Sequence, residues 1–302
     1  MEERSPDLSP PPRRFVSRKR AWMRRAVWAL VLAAVLMGGA WAGAALVRGH
    51  DAPPPPTAPV LEKLRVIFPE GFTRAEMADR VAAVRQIAID RRRVMPRLTR
   101  DGYLDATAKA KPPPAFRKDW SGDRIEGFLF PSTYEFTQYT GAGSLVREQI
   151  GFFRREWGKV DLRYARSKNL TPYDVLIIAS MIEKEVAAPA ERRLVAAVIY
   201  NRLHLGMPLQ IDATTRYGLG VPGTESLTKS ELASSSPYNT RNRVGLPPTP
   251  ISNPGLASMQ AAAHPAVVDY LYYVRRPDGV HHFFTASESE FERKKCEFGY
   301  GC

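Results

Sequence analysis

The stretch Thr171 to Val186, TPYDVLIIASMIEKEV, constrains the fold more than any other. Thr171 can cap a helix, Pro172 suits its first position and Asp174 stands where a capping-box acid belongs. Val175 to Ile182 then runs without a charge and with one small hydroxyl, Ser180. A helix apolar on every side belongs inside a core. Its far end carries Glu183, Lys184 and Glu185. Leu176, Ser180 and Glu183 share one stripe, at i, i+4 and i+7. Burial and the negative end of the helix dipole would both disfavour a charged Glu183, which makes a general acid. A solvated helix end with a local ion pair fits the same residues.

The flanking segments set the context. Residues 1–25 are polar and Pro-rich, with Arg4, Arg13, Arg14, Arg18, Lys19, Arg20, Arg24 and Arg25, and are expected to be a disordered cytoplasmic tail. Ala26 to Val47 carries no charge and is about 22 residues long, enough to span a bilayer. The basic cluster before it places the N-terminus in the cytoplasm and everything after Arg48 outside. A cleaved signal peptide is the rival, since Ala40-Trp41-Ala42 has the form of a cleavage site. Residues 48–60, with Pro53 to Pro56, read as a stiff spacer.

The remaining chain predicts an α+β fold. Leu64 to Phe68 is a strand, and Thr73 to Glu76 a capping box opening a helix through about Val84. A second helical piece follows around Ile87 to Leu98. Residues 125–136 (IEGFLFPSTYEF) read as two short strand pieces, and Glu126 as a carboxylate capping the turn at Gly127. Ser144 to Trp157 is amphipathic. After Pro189 a helix runs from about Ala190 to His204 and ends at Gly206. Leu209 to Gly218, LQIDATTRYG, is polar and poorly periodic. Thr228 to Glu231, and Asn253 through Ala263, open helices. Tyr270 to Arg275 and Val280 to Phe284 form a hairpin, and Ser287 caps a last helix.

The 302 residues carry a formal charge of +13. Beyond the N-terminal cluster the excess is diffuse, which suits an anionic polymer or membrane surface; no nucleic-acid motif is present. The two cysteines, Cys296 and Cys302, have no histidine pair at zinc spacing, and no metal or cofactor is expected. They can bridge a small loop or remain two tail thiols.

MIEKEV, the NRL at Asn201 to Leu203, LQIDATTRYG, SPYNT, GLPPTPI and the HFF at His282 occur in this order. With EGFLFPSTY before them, they resemble the YceG-like family from about residue 60 to about 295. The resemblance implies a membrane-anchored lytic transglycosylase that cuts within nascent peptidoglycan strands and leaves 1,6-anhydro-N-acetylmuramic acid ends. It implies a LysM-like domain over 61–139 and a mainly helical catalytic domain over 140–302, ending in a β-hairpin. It implies an inner-membrane protein with its catalytic part in the periplasm, and peptidoglycan synthases as further partners. It makes the first Glu of the EKE motif, Glu183, catalytic. Gln210, Asp212, Thr214, Tyr217, Tyr238, Asn239 and His282 fall on motif positions suited to lining a glycan cleft. Ala213 departs from the family's usual Pro, and Arg241 from an aromatic Tyr after SPYNT.

One acid suffices if the muramic acid 6-hydroxyl attacks its own anomeric carbon. A hydrolase would need a second carboxylate, for which Asp212 is the candidate, though an Asp here more commonly holds its own loop. Glu185 is expected to pair with Arg192 or Arg193. A hydrolytic muramidase using Glu183 with Asp212, and a non-catalytic wall-binding scaffold, are the alternative functions.

Overall fold

The computed structural model describes residues 18–48, 62–120 and 125–301. Contacts divide the chain into a unit ending at Val60 and a compact unit from Leu61 onward. Residues 1–17 and 49–61, which include most of the expected tail and spacer, lie outside the described residues.

The first unit contains helix α1, Arg18–Arg48. Trp22, Val27, Leu30 and Leu36 on it are exposed. The expected span 26–47 lies within α1, but from Ala40 on its side chains are not described. Among the described residues no helix is long and apolar enough to cross a membrane.

The second unit is mixed α+β, with two separate two-stranded antiparallel sheets among its helices. It begins β1 (Leu64–Ile67), α2 (Arg74–Arg92), α3 (Arg100–Lys109) and β2 (Thr133–Phe136). β1 pairs with β2, Val66 opposite Tyr134. Leu64, Val66, Tyr134 and Phe136 point into the core, while Arg65 and Glu135 meet across the outer face at 3.0 Å. The capping box at Thr73 forms as expected. The two helical pieces read from 73–98 are one helix, because no Gly or Pro interrupts 84–87; it stops where Arg93 turns left-handed at φ 54°. Helix α3 was not legible: its cap, Thr99, accepts from the amide of Gly102, and a glycine in the first turn weakens the helical signal. Only one of the two strand pieces expected in 125–136 forms, since Gly127 adopts φ 88° and turns the chain.

Next come α4 (Ala142–Trp157), α5 (Arg163–Ser167), α6 (Pro172–Glu185), α7 (Arg192–His204) and α8 (Asp212–Leu219). After them lie α9 (Lys229–Leu232), α10 (Leu256–Ala263), β3 (Tyr272–Arg275), β4 (His282–Thr285) and α11 (Glu288–Glu297). Helix α6 is the central element. Its capping box is complete, with Asp174 accepting from the Thr171 amide at 2.8 Å and Thr171 accepting from the Asp174 amide at 3.2 Å. Every residue from Val175 to Ile182 is buried, as its apolar circumference requires. It packs on α10 and α7, and one hydrophobic core runs from Leu64 to Ala263, across position 140. Ser180 is not idle in that core. Its hydroxyl donates to the Ile177 carbonyl and accepts from the Ile251 amide, while its carbonyl accepts from the Ser252 hydroxyl. These bonds clamp the Gly245–Ile251 loop onto α6.

Sequence periodicity predicts no helix where α8 forms. Thr214 and Thr215 are poor helix formers, and α8 is held from outside, by Thr240 on Thr214 at 3.0 Å and Asn239 on Thr215 at 3.2 Å. Cys296 in α11 is disulfide-bonded; Cys302, the only other cysteine in the sequence, lies outside the described residues.

Candidate active site

The two glutamates at the end of α6 point to different places. Glu183 continues the stripe of Leu176 and Ser180, and that stripe faces the inner framework. Leu176 lies against the backbone at Gly127, and the Glu183 side chain against Gly71. The Glu183 Oε2 accepts from the Gly255 amide, at the start of α10, at 3.0 Å, where a helix N-terminus favours an anion. The Glu70 carboxyl lies over Gly255, so a side chain there would have to push it aside. Burial raises Glu70 above the usual carboxylate range, and Glu183 beside it adds to the effect, with Arg192 opposing.

Glu185, two residues on, turns about 200° around the helix toward α8 and the hairpin. It is partly buried. Its Oε2 accepts from the Tyr273 hydroxyl at 3.1 Å. Burial holds its carboxyl above the ordinary range, Asp212 pushes the same way, and the Tyr273 bond, Arg275 and His282 pull against them. The expected pairing of Glu185 with Arg192 or Arg193 does not form among the described residues. Arg193 instead donates to the His264 carbonyl at 2.9 Å, and the Arg192 Nε is buried without a partner. Glu185 is instead taken up by the Tyr273 hydroxyl of the hairpin.

The loop residues expected to line a cleft divide into two groups. Asp212, at the first position of α8, pairs with the Arg241 Nε at 2.7 Å, so the residue that departs from the family's Tyr holds this carboxylate. Gln210 is exposed and left-handed at φ 57°, a conformation costly for a residue with a Cβ and commonest where geometry serves a site. Its Oε1 accepts from Arg202 at 3.2 Å. His282 is buried; its Nδ1 lies 2.7 Å from Glu191 and its ring stands edge-on to Tyr273. Asp212, His282, Tyr273 and Arg275 therefore surround Glu185.

The others do different work. Thr214 is fully buried, its hydroxyl donating to the Ile211 carbonyl at 2.7 Å. Asn239 is fully buried, donating to the Leu232 and Ser234 carbonyls and accepting from the Arg241 amide. Both knot the loops together. Tyr217 and Tyr238 meet edge to face at 5.2 Å. The Tyr217 hydroxyl donates to Glu126 at 3.2 Å, and that of Tyr238 bonds Thr249 at 2.7 Å.

Glu126 is the hub of this second cluster. It is buried and accepts from the Arg74 amide at the start of α2, from Tyr217 and from the Asn253 side chain at 2.7 Å. Burial outweighs these donors and pushes its carboxyl up to about 7. It thus caps α2 and not the turn at Gly127. An open groove of about 740 Å3, lined by Ala106, Lys109, Val146, Ile150 and Arg154 among others, involves α3 and α4 and none of the Glu185 cluster.

Residues 44–297 match the YceG-like family. The chain belongs to that family. This YceG-like chain is 31% identical over 257 residues to an endolytic murein transglycosylase of Streptococcus pneumoniae, covering 80% of this chain and 45% of the relative. It is 37% identical over 158 residues to an endolytic murein transglycosylase of Bacillus subtilis, covering 51% and 43%. The YceG-like chain thus spans less than half the length of these curated relatives. The crystal structure of a yceG-like protein from Listeria monocytogenes aligns with a TM-score of 0.66 at 30% identity, covering 77% of this chain and 76% of that one.

Sequence reasoning missed Glu191 and Tyr273 in this YceG-like site. Glu191 follows a Pro-Ala in a charged run, and Tyr273 is one of three tyrosines in YLYYV; neither pattern marks a residue whose partner lies ~90 positions away.

Proposed function

We propose that this chain is a peptidoglycan lytic transglycosylase whose acid and base is Glu185. The observation that carries this reading is the environment of Glu185: a carboxyl raised by burial, oriented by Tyr273 and ringed by Asp212, Arg275 and His282. A carboxylic acid kept protonated toward neutral pH can donate to a glycosidic oxygen as oxocarbenium character develops. The resulting carboxylate then takes the proton of the muramic acid 6-hydroxyl, which closes on the anomeric carbon and leaves an anhydro end. The murein transglycosylase names of the relatives support the same substrate class. Glu183, the acid favoured by sequence, is held on the Gly255 amide beside Glu70 and serves the framework in this reading.

The β1–α2–α3–β2 order supports a LysM-like part over 61–139, with the catalytic part from 140 onward. The uncharged run 26–47 supports an anchor in the cytoplasmic membrane, with the N-terminus in the cytoplasm and synthases within reach. Termination of nascent strands is the role this reading gives the enzyme. A hydrolytic muramidase is the second reading, because Asp212 lies close enough to act on Glu185; the Arg241 ion pair occupying Asp212 counts against it as a base.

Digestion of purified glycan strands, with mass spectrometry of the ends, tests the reading. Anhydro ends support it, reducing ends favour the muramidase, and no cleavage leaves a wall-binding scaffold. Glu185→Gln is expected to abolish cleavage, and Glu183→Gln to retain at least a tenth of it, roughly. A fully active Glu185→Gln would sink the assignment.

A further inference from the structure

The hairpin carries a buried ion-pair geometry that proton donation by Glu185 does not by itself require. Glu191 ends the short 3-10 turn Pro189–Glu191 between α6 and α7 and is buried. Its Oε1 accepts from the backbone amide of His282 at 3.0 Å and its Oε2 from the ring Nδ1 at 2.7 Å. An ionised carboxylate can only accept, so Nδ1 carries a proton. Both the strand position and the ring plane of His282 are thereby fixed from the turn that leads into α7. The ring stands at 89° to Tyr273, with centroids 5.4 Å apart, and Tyr273 in turn donates to Glu185. The Arg276 Nε on the His282 carbonyl, at 3.2 Å, holds the same rung from the other side.

A surface ion pair with this spacing would be of little account. Here the partners are 91 residues apart and almost fully enclosed, with side-chain exposures of 3% and 10%. Removing one partner would leave a buried group uncompensated, so the pair has a cost that needs a benefit. The groups facing Glu185 are Tyr273 and Arg275 on β3, His282 on β4, and Asp212 on α8 with its Arg241 partner. Of these, His282 alone is held by a second buried carboxylate, that of Glu191.

We infer that Glu191 and His282 are positioning residues for the reaction proposed above, fixing Tyr273 and through it the orientation of Glu185. The inference rests on Glu185 as the acid, so its test includes a reading independent of turnover. The His282 ring pulls the Glu185 carboxyl down, against its burial. Glu191→Gln loosens the carboxylate clamp on that ring and weakens its pull on Glu185, so Glu185 is expected to titrate at higher pH.

The test uses the full chain with 13C-labelled glutamate and 15N-labelled histidine. In the native protein the His282 resonances should report an Nδ1-bound proton. In Glu191→Gln the Glu185 titration midpoint should rise by roughly half a pH unit or more. Turnover on glycan strands should fall roughly tenfold in kcat, with KM within about twofold and the high-pH limb displaced upward. His282→Gln, which keeps a polar side chain, should move the midpoint the same way and covers the case in which Glu191→Gln fails to fold. An unmoved Glu185 midpoint in a folded variant overturns the inference, as does a uniform drop in rate with an unshifted limb. If the midpoint moves but native protein cleaves no glycan, the dyad stands and the transglycosylase reading fails.

Discussion

Substituting Glu126 by Gln gives a measurable test of the buried cluster that joins α2, α8 and the Asn253 loop. The folded protein holds this carboxyl at about 7, against an ordinary value of 4.5. The folded state therefore binds the proton more tightly than the unfolded chain. Below the ordinary value both states are protonated and Glu126 makes no difference. As pH rises from about 4.5 to about 7 the unfolded chain ionises first, and folding stability falls. Each pH unit in that window weighs about 1.4 kcal/mol, so ionised Glu126 costs the fold about 3 kcal/mol above pH 7.

Gln keeps the shape and cannot ionise. Its Oε1 can still accept from the Arg74 amide and from Asn253, and its amide can donate to the Tyr217 oxygen once that hydroxyl turns. Rearranged bonds of this kind cost about 1 kcal/mol. Glu126→Gln should then be about 1 kcal/mol less stable than native protein near pH 4.5 and about 2 kcal/mol more stable at pH 8. Urea unfolding of both proteins at half-unit steps across that range reads the difference directly, with other titrating groups cancelling. A stability difference that stays flat with pH would refute the reasoning. It would mean that the three donors to Glu126 offset its burial completely.

Three other expectations follow from particular contacts. Gly127→Ala forces a side chain into φ 88°, with its Cβ 2.7 Å from Pro250 and 3.2 Å from Leu176; thermal unfolding should report a loss of about 2–4 kcal/mol. Ser180→Ala leaves the Ile251 amide buried without its acceptor, while the Ser252 hydroxyl keeps its bond to the backbone carbonyl of residue 180. Denaturant titration should show about 1–3 kcal/mol lost, with faster exchange of the Ile251 amide proton. Asp212→Asn removes the charge but keeps a partner for Arg241; if Glu185 works alone, kcat for glycan cleavage stays within roughly tenfold of native, whereas a water-activating base would lose far more.

What sequence alone determined was local. The capping boxes at Thr73, Thr171 and Thr228 and the Ser287 cap formed where their residues stand, because a cap is satisfied within one turn of chain. The burial of Val175 to Ile182 was legible because a helix apolar on all sides has no solvent face to offer. The order of YceG-like motifs was legible too, and carried the family. Periodicity failed where distant partners decide. Helix α8 exists because Thr240 and Asn239 hold its threonines, and α3 survives a first-turn glycine by its Thr99 cap.

What each of the two glutamates meets was beyond the sequence for the same reason. The stripe rule placed Glu183 with Leu176 and Ser180 correctly. Only the tertiary structure shows that this stripe faces Gly71, Ile251 and Gly255, while Glu185 faces Tyr273. Helical spacing fixes which residues share a face, but not what that face meets. The partners that give a carboxyl its burial and its neighbouring charges come from segments ~30 to 90 residues away, and those are brought together only when the core packs.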